Sequence, residues 1–266
     1  MTLSAFHTHT SFCDGKNTAE EMVLRAIEEG SPEIGFTSHS YMGHDKRWCM
    51  SRETTELYKK EILRLKDKYS DKIKVYLGIE YDYFSDICTS DFDYVLGSVH
   101  YVLKNGYYIP VDETAKHHND AIKELYGGDV DALAEDYYET LGDIYNKTGC
   151  NIVGHFDIIT KFNEKEKIYD TESTRYRKAA ISALDTLEKC PVIFEINTGA
   201  ISRGYRTTPY PEGFILDEMG KRGVGLVITS DTHRADTLLF GMNDVENTLK
   251  SKGFRYFTSM SEILKK

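Results

Sequence analysis

Short apolar runs alternate with longer amphipathic stretches along almost the whole chain. The runs are rich in Val, Ile, Phe and Tyr and predict β-strands, whereas the stretches between them have helical spacing of apolar residues. Seven strands are predicted at residues 2–6, 33–38, 73–79, 94–99, 152–154, 192–196 and 225–230.

The stretches between these runs carry helix signals. Thr18 and Glu21 have the spacing of a capping box, and Gly30 lies where that first amphipathic pattern ends. Further helices are predicted at residues 54–68, 131–147, 172–189 and 211–222 and after the last predicted strand. Strands that alternate with helices predict an α/β fold with a parallel sheet, and about seven such units predict a TIM-like barrel or near-barrel. A doubly wound open sheet is the alternative, but no glycine-rich phosphate loop follows any predicted strand.

One long stretch, residues 101–128, shows neither pattern and is predicted to be an irregular lid or binding loop. It contains several tyrosines together with His117 and His118. His44 also lies in a predicted loop, and solvated side chains are expected for these three histidines.

Composition narrows the class of protein. The chain has 266 residues, of which 40% are hydrophobic and 29% charged, as in ordinary globular proteins, and we expect a single domain over residues 1–266. No apolar run is long enough for a membrane span. The five cysteines never form a C-x-x-C pair, and the N-terminus lacks a secretory signal, so a reduced, cytoplasmic protein is expected. The net charge of −10 argues against broad nucleic-acid binding.

Histidines and carboxylates gather near the ends of the predicted strands. The residues at these positions are His7, His9, His39, Glu80, His100, His155, Asp231 and His233. In a parallel barrel these ends share one rim, where active sites are built. Any one of them alone would be an ordinary hydrogen-bonding side chain, but eight on one rim indicate a metal site. Imidazoles and carboxylates suit Zn, Mn or Fe, a carboxylate can bridge two ions, and the set predicts two to three divalent ions.

These residues lie in motifs that resemble the polymerase and histidinol phosphatase (PHP) family. The motifs are HTHTSFCDG at 7–15, TSHS at 37–40, GIEYDY at 78–83, GSVH at 97–100, GHFD at 154–157, EINTGA at 195–200 and TSDTH at 229–233. They run through essentially the whole chain in the family's order and are most similar to the stand-alone histidinol-phosphatases. The resemblance implies a distorted seven-stranded β/α barrel with a trinuclear metal centre.

The resemblance also implies three ligand sets. The first set is His7, His9, Glu80 and Asp231, the second is Glu80, His100 and His155, and the third is His39 and His233. Other members place a further histidine after the first H-x-H, where this chain has Asp14.

The resulting hypothesis is a metal-dependent phosphomonoester hydrolase. A hydroxide bridging two ions would attack phosphorus, with Asp231 and His233 moving protons for the nucleophile and the leaving alkoxide. Arg203 is the first candidate for binding the phosphate and Arg206 the second, because a guanidinium forms bidentate contacts with phosphate.

L-histidinol phosphate is the substrate that the resemblance implies. Its ammonium group needs a carboxylate, for which Asp45, Asp82 and Glu113 are candidates, and its imidazole needs a surface to pack on. Candidate contacts for the imidazole are Tyr107, Tyr108 and His117.

Alternatives of other classes remain open. An amidohydrolase-like metal hydrolase would resemble a pattern with a bridging lysine in mid-barrel, where this chain has Glu80. A PHP-type nuclease or a phosphoesterase acting on another ester, and a non-catalytic metal-bound scaffold, are the others. The expected partner is a small phosphomonoester, without nucleic acid or membrane, and the sequence does not predict the oligomeric state.

Overall fold

The computed structural model describes residues 3–265 of the chain. Its strands are β1 (Glu33–Phe36), β2 (Lys74–Asp82), β3 (Tyr94–Ser98), β4 (Tyr101–Lys104), β5 (Tyr107–Pro110), β6 (Ile152–Val153), β7 (Ile193–Asn197), β8 (Leu226–Thr229) and β9 (Tyr256–Phe257). Seven of them form one parallel sheet in the order β1-β2-β3-β6-β7-β8-β9, while β4 and β5 form a separate antiparallel pair. The prediction of a distorted, TIM-like α/β barrel is confirmed.

Helices connect the strands of the sheet. They are α1 (Ala19–Glu28), α2 (Arg52–Lys68), α3 (Ala115–Leu125), α4 (Val130–Gly142), α5 (Ile144–Thr148), α6 (Asn163–Glu166), α7 (Thr174–Leu187), α8 (Gly199–Ser202), α9 (Gly213–Arg222), α10 (Met242–Lys252) and α11 (Met260–Ile263). Strands β1, β3, β7 and β8 are buried along their whole length, as expected for a parallel sheet that helices cover. Within residues 3–265, none of the helices is long and apolar enough to cross a membrane.

The first predicted strand, residues 2–6, is wrong as a regular strand, and Thr2 lies outside the described residues. The segment instead makes single bridges on either side: Ala5 pairs with Ile34 of β1, and Thr8 pairs with Thr232 after β8. The backbone N–H of His9 donates to the carbonyl of Thr232 at 2.9 Å. The segment therefore joins the two sides of the curled sheet near the carboxyl ends of its strands.

The prediction of an irregular loop over residues 101–128 is also wrong. The region forms the β4–β5 hairpin followed by α3, and the hairpin turns at Asn105 and Gly106, both with positive φ. An Asn-Gly pair between two apolar runs is a strong local hairpin signal, so the sequence did contain this element. His118 is fully buried on α3, contrary to the solvated side chain that we expected.

Several boundaries also differ from the predictions. The helix predicted at 131–147 is broken at Asp143 into α4 and α5, and α9 begins at Gly213, after the proline expected to start it. Strand β2 continues through Glu80 to Asp82, so Glu80 lies within the strand. The short strand β9 was not predicted.

Candidate metal centre

A cavity of about 440 Å³ opens at the carboxyl ends of the barrel strands. Six of the eight predicted metal-type residues line it, namely His39, Glu80, His100, His155, Asp231 and His233. His7 and His9 lie behind this lining and are fully buried. The structure therefore brings together side chains that extend from residue 7 to residue 233.

Glu80 is at the centre of the cluster. Its Oε2 atom lies 2.8 Å from His39 Nδ1, 3.3 Å from His7 Nε2 and 3.4 Å from His9 Nε2. Its Oε1 atom lies 3.0 Å from His155 Nε2 and 3.5 Å from His100 Nε2, and it accepts a hydrogen bond from the hydroxyl of Ser98 at 2.7 Å. Two oxygens that face five imidazoles have the geometry of a bridging ligand.

Asp231 divides its two carboxylate oxygens between the cluster and a cation. Its Oδ1 atom lies 3.3 Å from His9 Nε2, and its Oδ2 atom accepts a hydrogen bond from Arg203 Nη2 at 3.0 Å. Burial raises the pKa of this carboxyl, but Arg203 and His7 outweigh burial and hold it well below the usual value. Asp231 has a φ of 45°, a left-handed conformation that non-glycine residues adopt mainly at functional sites. A side chain on Gly199 would collide with this ion pair, because its Cβ would lie 2.8 Å from Asp231 Oδ2.

Asp14 occupies the neighbourhood of His39 and His233. Its Oδ2 lies 3.3 Å from His233 Nε2, and its Oδ1 lies 3.7 Å from His39 Nε2 and 3.8 Å from His9 Nδ1. The tight turn that carries Asp14 depends on Gly15, whose Cβ would lie 2.5 Å from the backbone nitrogen of Thr10.

Buried polar atoms that have no hydrogen-bond partner within residues 3–265 lie in this cluster. They include His7 Nε2, His9 Nε2, Glu80 Oε2 and Asp14 Oδ1. Buried polar atoms normally have partners, and lone pairs of imidazoles and carboxylates that converge in this way fit divalent transition-metal ions. Three sets have one ligand atom from each residue within 4.8 Å of one another: His7, His9 and Glu80; His39, Glu80 and His100; and His9, Asp14, His39 and His233. The sets overlap at His9 and His39, whereas the resemblance implied that His39 belongs to the third set alone.

Burial and carboxylates act against each other on the histidines. Burial lowers the pKa of His7 and of His100, but the carboxylates outweigh it: Glu195, Asp231 and Glu80 raise the pKa of His7 well above its usual value, and Glu80 and Asp82 raise that of His100 to about 9. His9 differs because burial, His233 and His39 all lower its pKa. The cluster thus concentrates negative charge, which favours bound cations.

Comparison with known proteins identifies the family. The model of the PHP domain matches residues 5–199, about three quarters of the chain. The chain belongs to the PHP domain family.

Relatives of this PHP protein have related names. It is 28% identical to the probable histidinol-phosphatase of Schizosaccharomyces pombe, over 85% of this chain and 79% of that one. It is 26% identical to the histidinol-phosphatase of Bacillus subtilis, over 86% of this chain and 92% of that one. A crystal structure of histidinol phosphate phosphatase from Lactococcus lactis, complexed with zinc, L-histidinol and phosphate, is 22% identical, with a TM-score of 0.71 over 96% of this chain and 95% of that one. At this identity the structural likeness shows the fold.

Two cations and two aromatic side chains line the walls of the PHP cavity. Arg203 lies beside Asp231, as described above, and Lys161 donates a hydrogen bond to the carbonyl of Asp112 at 2.7 Å. Lys161 was not among the predicted site residues, since only arginines were considered for phosphate. Trp48 and Tyr101 line the cavity as well, and Trp48 Nε1 donates to the Tyr101 hydroxyl at 3.2 Å.

Several predicted substrate contacts lie outside this lining. Arg206 is buried, pairs with Glu212 at 2.6 Å and packs on the ring of Tyr210, so the structure contradicts its prediction as a phosphate ligand. Tyr107 is 66% exposed on the hairpin. His117 is exposed beside Glu113.

Of the predicted carboxylates, Glu113 lines the cavity and pairs with Arg47 at 2.6 Å. Asp45 is bound to Arg47 and Tyr101, and Asp82 to the backbone and ring of His100. Asp45 and Asp82 are therefore already paired inside the protein and unsuited to bind an ammonium group.

Proposed function

We propose that this PHP protein is a metal-dependent phosphomonoester hydrolase that converts L-histidinol phosphate to L-histidinol and phosphate. The proposal rests above all on one arrangement, in which a histidine and carboxylate cluster forms the floor of a cavity and two cations line its walls. Chemistry on a phosphate ester needs both features, because the phosphate oxygens carry negative charge that must be neutralised.

The cluster would hold two to three ions of zinc, manganese or iron. His7, His9, Glu80 and Asp231 would hold one ion, and Glu80, His100 and His155 a second. The third would lie among His9, Asp14, His39 and His233, which share a set within 4.8 Å. The zinc in the Lactococcus relative supports zinc as one of these ions. When bound, such ions lower the pKa of water and neutralise phosphate oxygens.

Arg203 and Lys161 would bind the phosphate from the cavity wall. Asp231 would accept a proton, because the hydrogen bond from Arg203 to Oδ2 favours its carboxylate form. His233, which also lines the cavity, would then serve the leaving alkoxide.

The rest of the substrate would lie between acid and aromatic side chains. Asp112 and Glu113 line the cavity and could face the ammonium group, while Trp48 and Tyr101 offer ring surface to the imidazole. The names of the relatives, histidinol-phosphatase in Bacillus subtilis among them, support this choice among phosphomonoesters.

Release of inorganic phosphate by the metal-loaded protein tests the substrate. A site that hydrogen-bonds an ammonium and an imidazole rejects esters that lack them, so kcat/KM for L-histidinol phosphate should exceed that for p-nitrophenyl phosphate by about a hundredfold or more. A second comparison, with the ester that keeps the imidazole but lacks the amino group, isolates the contribution of the carboxylates. Equal values for all three esters would contradict the substrate, and no phosphate release from any of them would contradict the reaction.

A further inference from the structure

Glu195 lies on β7, is fully buried, and accepts four hydrogen bonds. Its Oε2 accepts from the backbone N–H of His155 at 2.6 Å and from Asn197 Nδ2 at 2.9 Å. Its Oε1 accepts from the hydroxyl of Thr229 at 2.6 Å and contacts His7 Nδ1 at 2.5 Å. All lone pairs of this carboxylate are thus used by groups of the protein.

The contact with His7 decides where the hydrogen of the imidazole lies. A carboxylate is only an acceptor, so Nδ1 of His7 must carry the hydrogen that joins it to Glu195. The lone pair of the neutral ring is then on Nε2, which lies 3.3 Å from Glu80 Oε2 and 3.6 Å from Asp231 Oδ1. Nε2 has no hydrogen-bond partner in the described part of the chain.

The same carboxylate also connects separate parts of the barrel. His7 comes from the N-terminal segment, His155 follows β6, and Thr229 ends β8, two residues before Asp231. Three of the candidate ligands are therefore held in register, directly or through a neighbour, by one side chain that does not itself face the cavity.

We propose that Glu195 is a positioning residue of the metal centre, which fixes His7 with Nδ1–H towards β7 and the Nε2 lone pair towards the ions. The inference rests on the metal-binding part of the proposed function and not on its substrate. Carboxylates that hydrogen-bond a ligating histidine orient the ring and raise its basicity, and their loss typically costs 10- to 100-fold in metal affinity.

Glu195→Gln tests this proposal because the amide has nearly the same shape. The amide oxygen must face the N–H groups of His155 and Asn197, which can only donate. The amide NH₂ then faces His7, and Nδ1 can accept its hydrogen bond only if the ring hydrogen moves to Nε2. That hydrogen would point at Glu80 and Asp231, where a metal ion needs a lone pair.

Zn²⁺ affinity is the measurement, made on protein stripped with a chelator and titrated in competition with a chromophoric chelator. We expect Glu195→Gln to bind its tightest zinc about 10- to 100-fold more weakly than the wild type. Glu33→Gln is the matched control: Glu33 is also a buried carboxylate, on β1, and accepts from the backbone N–H of Met260 at 2.8 Å, away from the cluster. Glu33→Gln should retain wild-type zinc affinity.

Wild-type affinity in Glu195→Gln would overturn the proposal, as would an equal loss in both variants, which would indicate a general effect on folding. A second measurement uses the wild-type chain, in case Glu195→Gln does not fold. In the zinc-loaded protein, ¹⁵N NMR of the His7 ring should show hydrogen on Nδ1, and a bare Nδ1 would overturn the proposal. Zinc binding is measured without substrate, so this test and the substrate test can fail independently.

Discussion

At the scale of single residues, the candidate centre depends most on Glu80, whose two oxygens face five imidazoles. Glu80→Gln keeps the shape but removes the charge and one acceptor. Because several kcal/mol of charge stabilisation depend on the bound ions, we expect metal content to fall and phosphatase activity to drop by roughly a hundredfold or more. Elemental analysis and phosphate release measure the two effects. Glu246→Gln, on α10, is the control, and full metal content with wild-type turnover in Glu80→Gln would show that Glu80 is not a bridge.

Asp14 offers a selective test of the third ion. It belongs to one of the three ligand sets, whereas His39 belongs to two and lies 2.8 Å from Glu80. Asp14→Asn should therefore lose about one ion per chain and keep the others, while His39→Ala should weaken more than one site. Metal content per chain after dialysis measures both. Loss of every ion, or of none, in Asp14→Asn would contradict a separate third site.

At the scale of elements, the β4–β5 hairpin and α3 form the segment that follows His100 and carries Asp112 and Glu113. His118 of α3 fixes this segment from inside: Nε2 donates to the carbonyl of Val111 at 2.9 Å, and Nδ1 accepts from the hydroxyl of Tyr169 at 2.8 Å. Both bonds require the neutral ring. The residue beside two proposed substrate contacts is thus held by a buried histidine.

The protonation of His118 should make stability depend on pH. Burial lowers its pKa to about 4, below the usual 6.5, so between these values the unfolded chain binds more protons. The stabilisation is present above pH 6.5 and is lost as the pH falls towards 4, up to about 3 kcal/mol. The free energy of unfolding of His118→Gln should therefore approach that of the wild type as the pH falls from 7 to 5. His117→Gln, the exposed neighbour, is the control, and a gap that stays constant for His118→Gln would contradict the assignment.

At the scale of the whole molecule, bound ions would stabilise the fold, because the ligands come from segments that extend from residue 7 to residue 233. The unfolded chain cannot bring these residues together, so binding energy adds to folding energy. Ions present at about a thousand times their dissociation constant contribute about 4 kcal/mol, equivalent to a Tm shift of roughly 8 °C or more. Calorimetry before and after chelation should show that decrease, with recovery when Zn²⁺ is added back. An unchanged Tm would contradict ion binding by the folded state.

The sequence predicted much of the fold because local patterns encode it. Strands β3, β7 and β8 lie within a residue or two of their predicted positions, and Asn105-Gly106 encoded a hairpin that the analysis overlooked. The first segment could not be predicted as irregular, since its apolar pattern is that of a strand. Its single bridges arise from its position between β1 and the end of β8, which is a tertiary relation.

By itself, the sequence determined which residue types gather at the rim, because parallel strands place their carboxyl ends on one side and every candidate ligand lies at or near such an end. It could not determine which nitrogen meets which oxygen, or that Glu195 holds His7. Nor could it separate Arg203 from Arg206, which carry the same side chain three residues apart. Only the tertiary structure decided that Arg203 opens on the cavity beside Asp231 while Arg206 is buried against Glu212, because burial and pairing depend on what distant segments bring into contact.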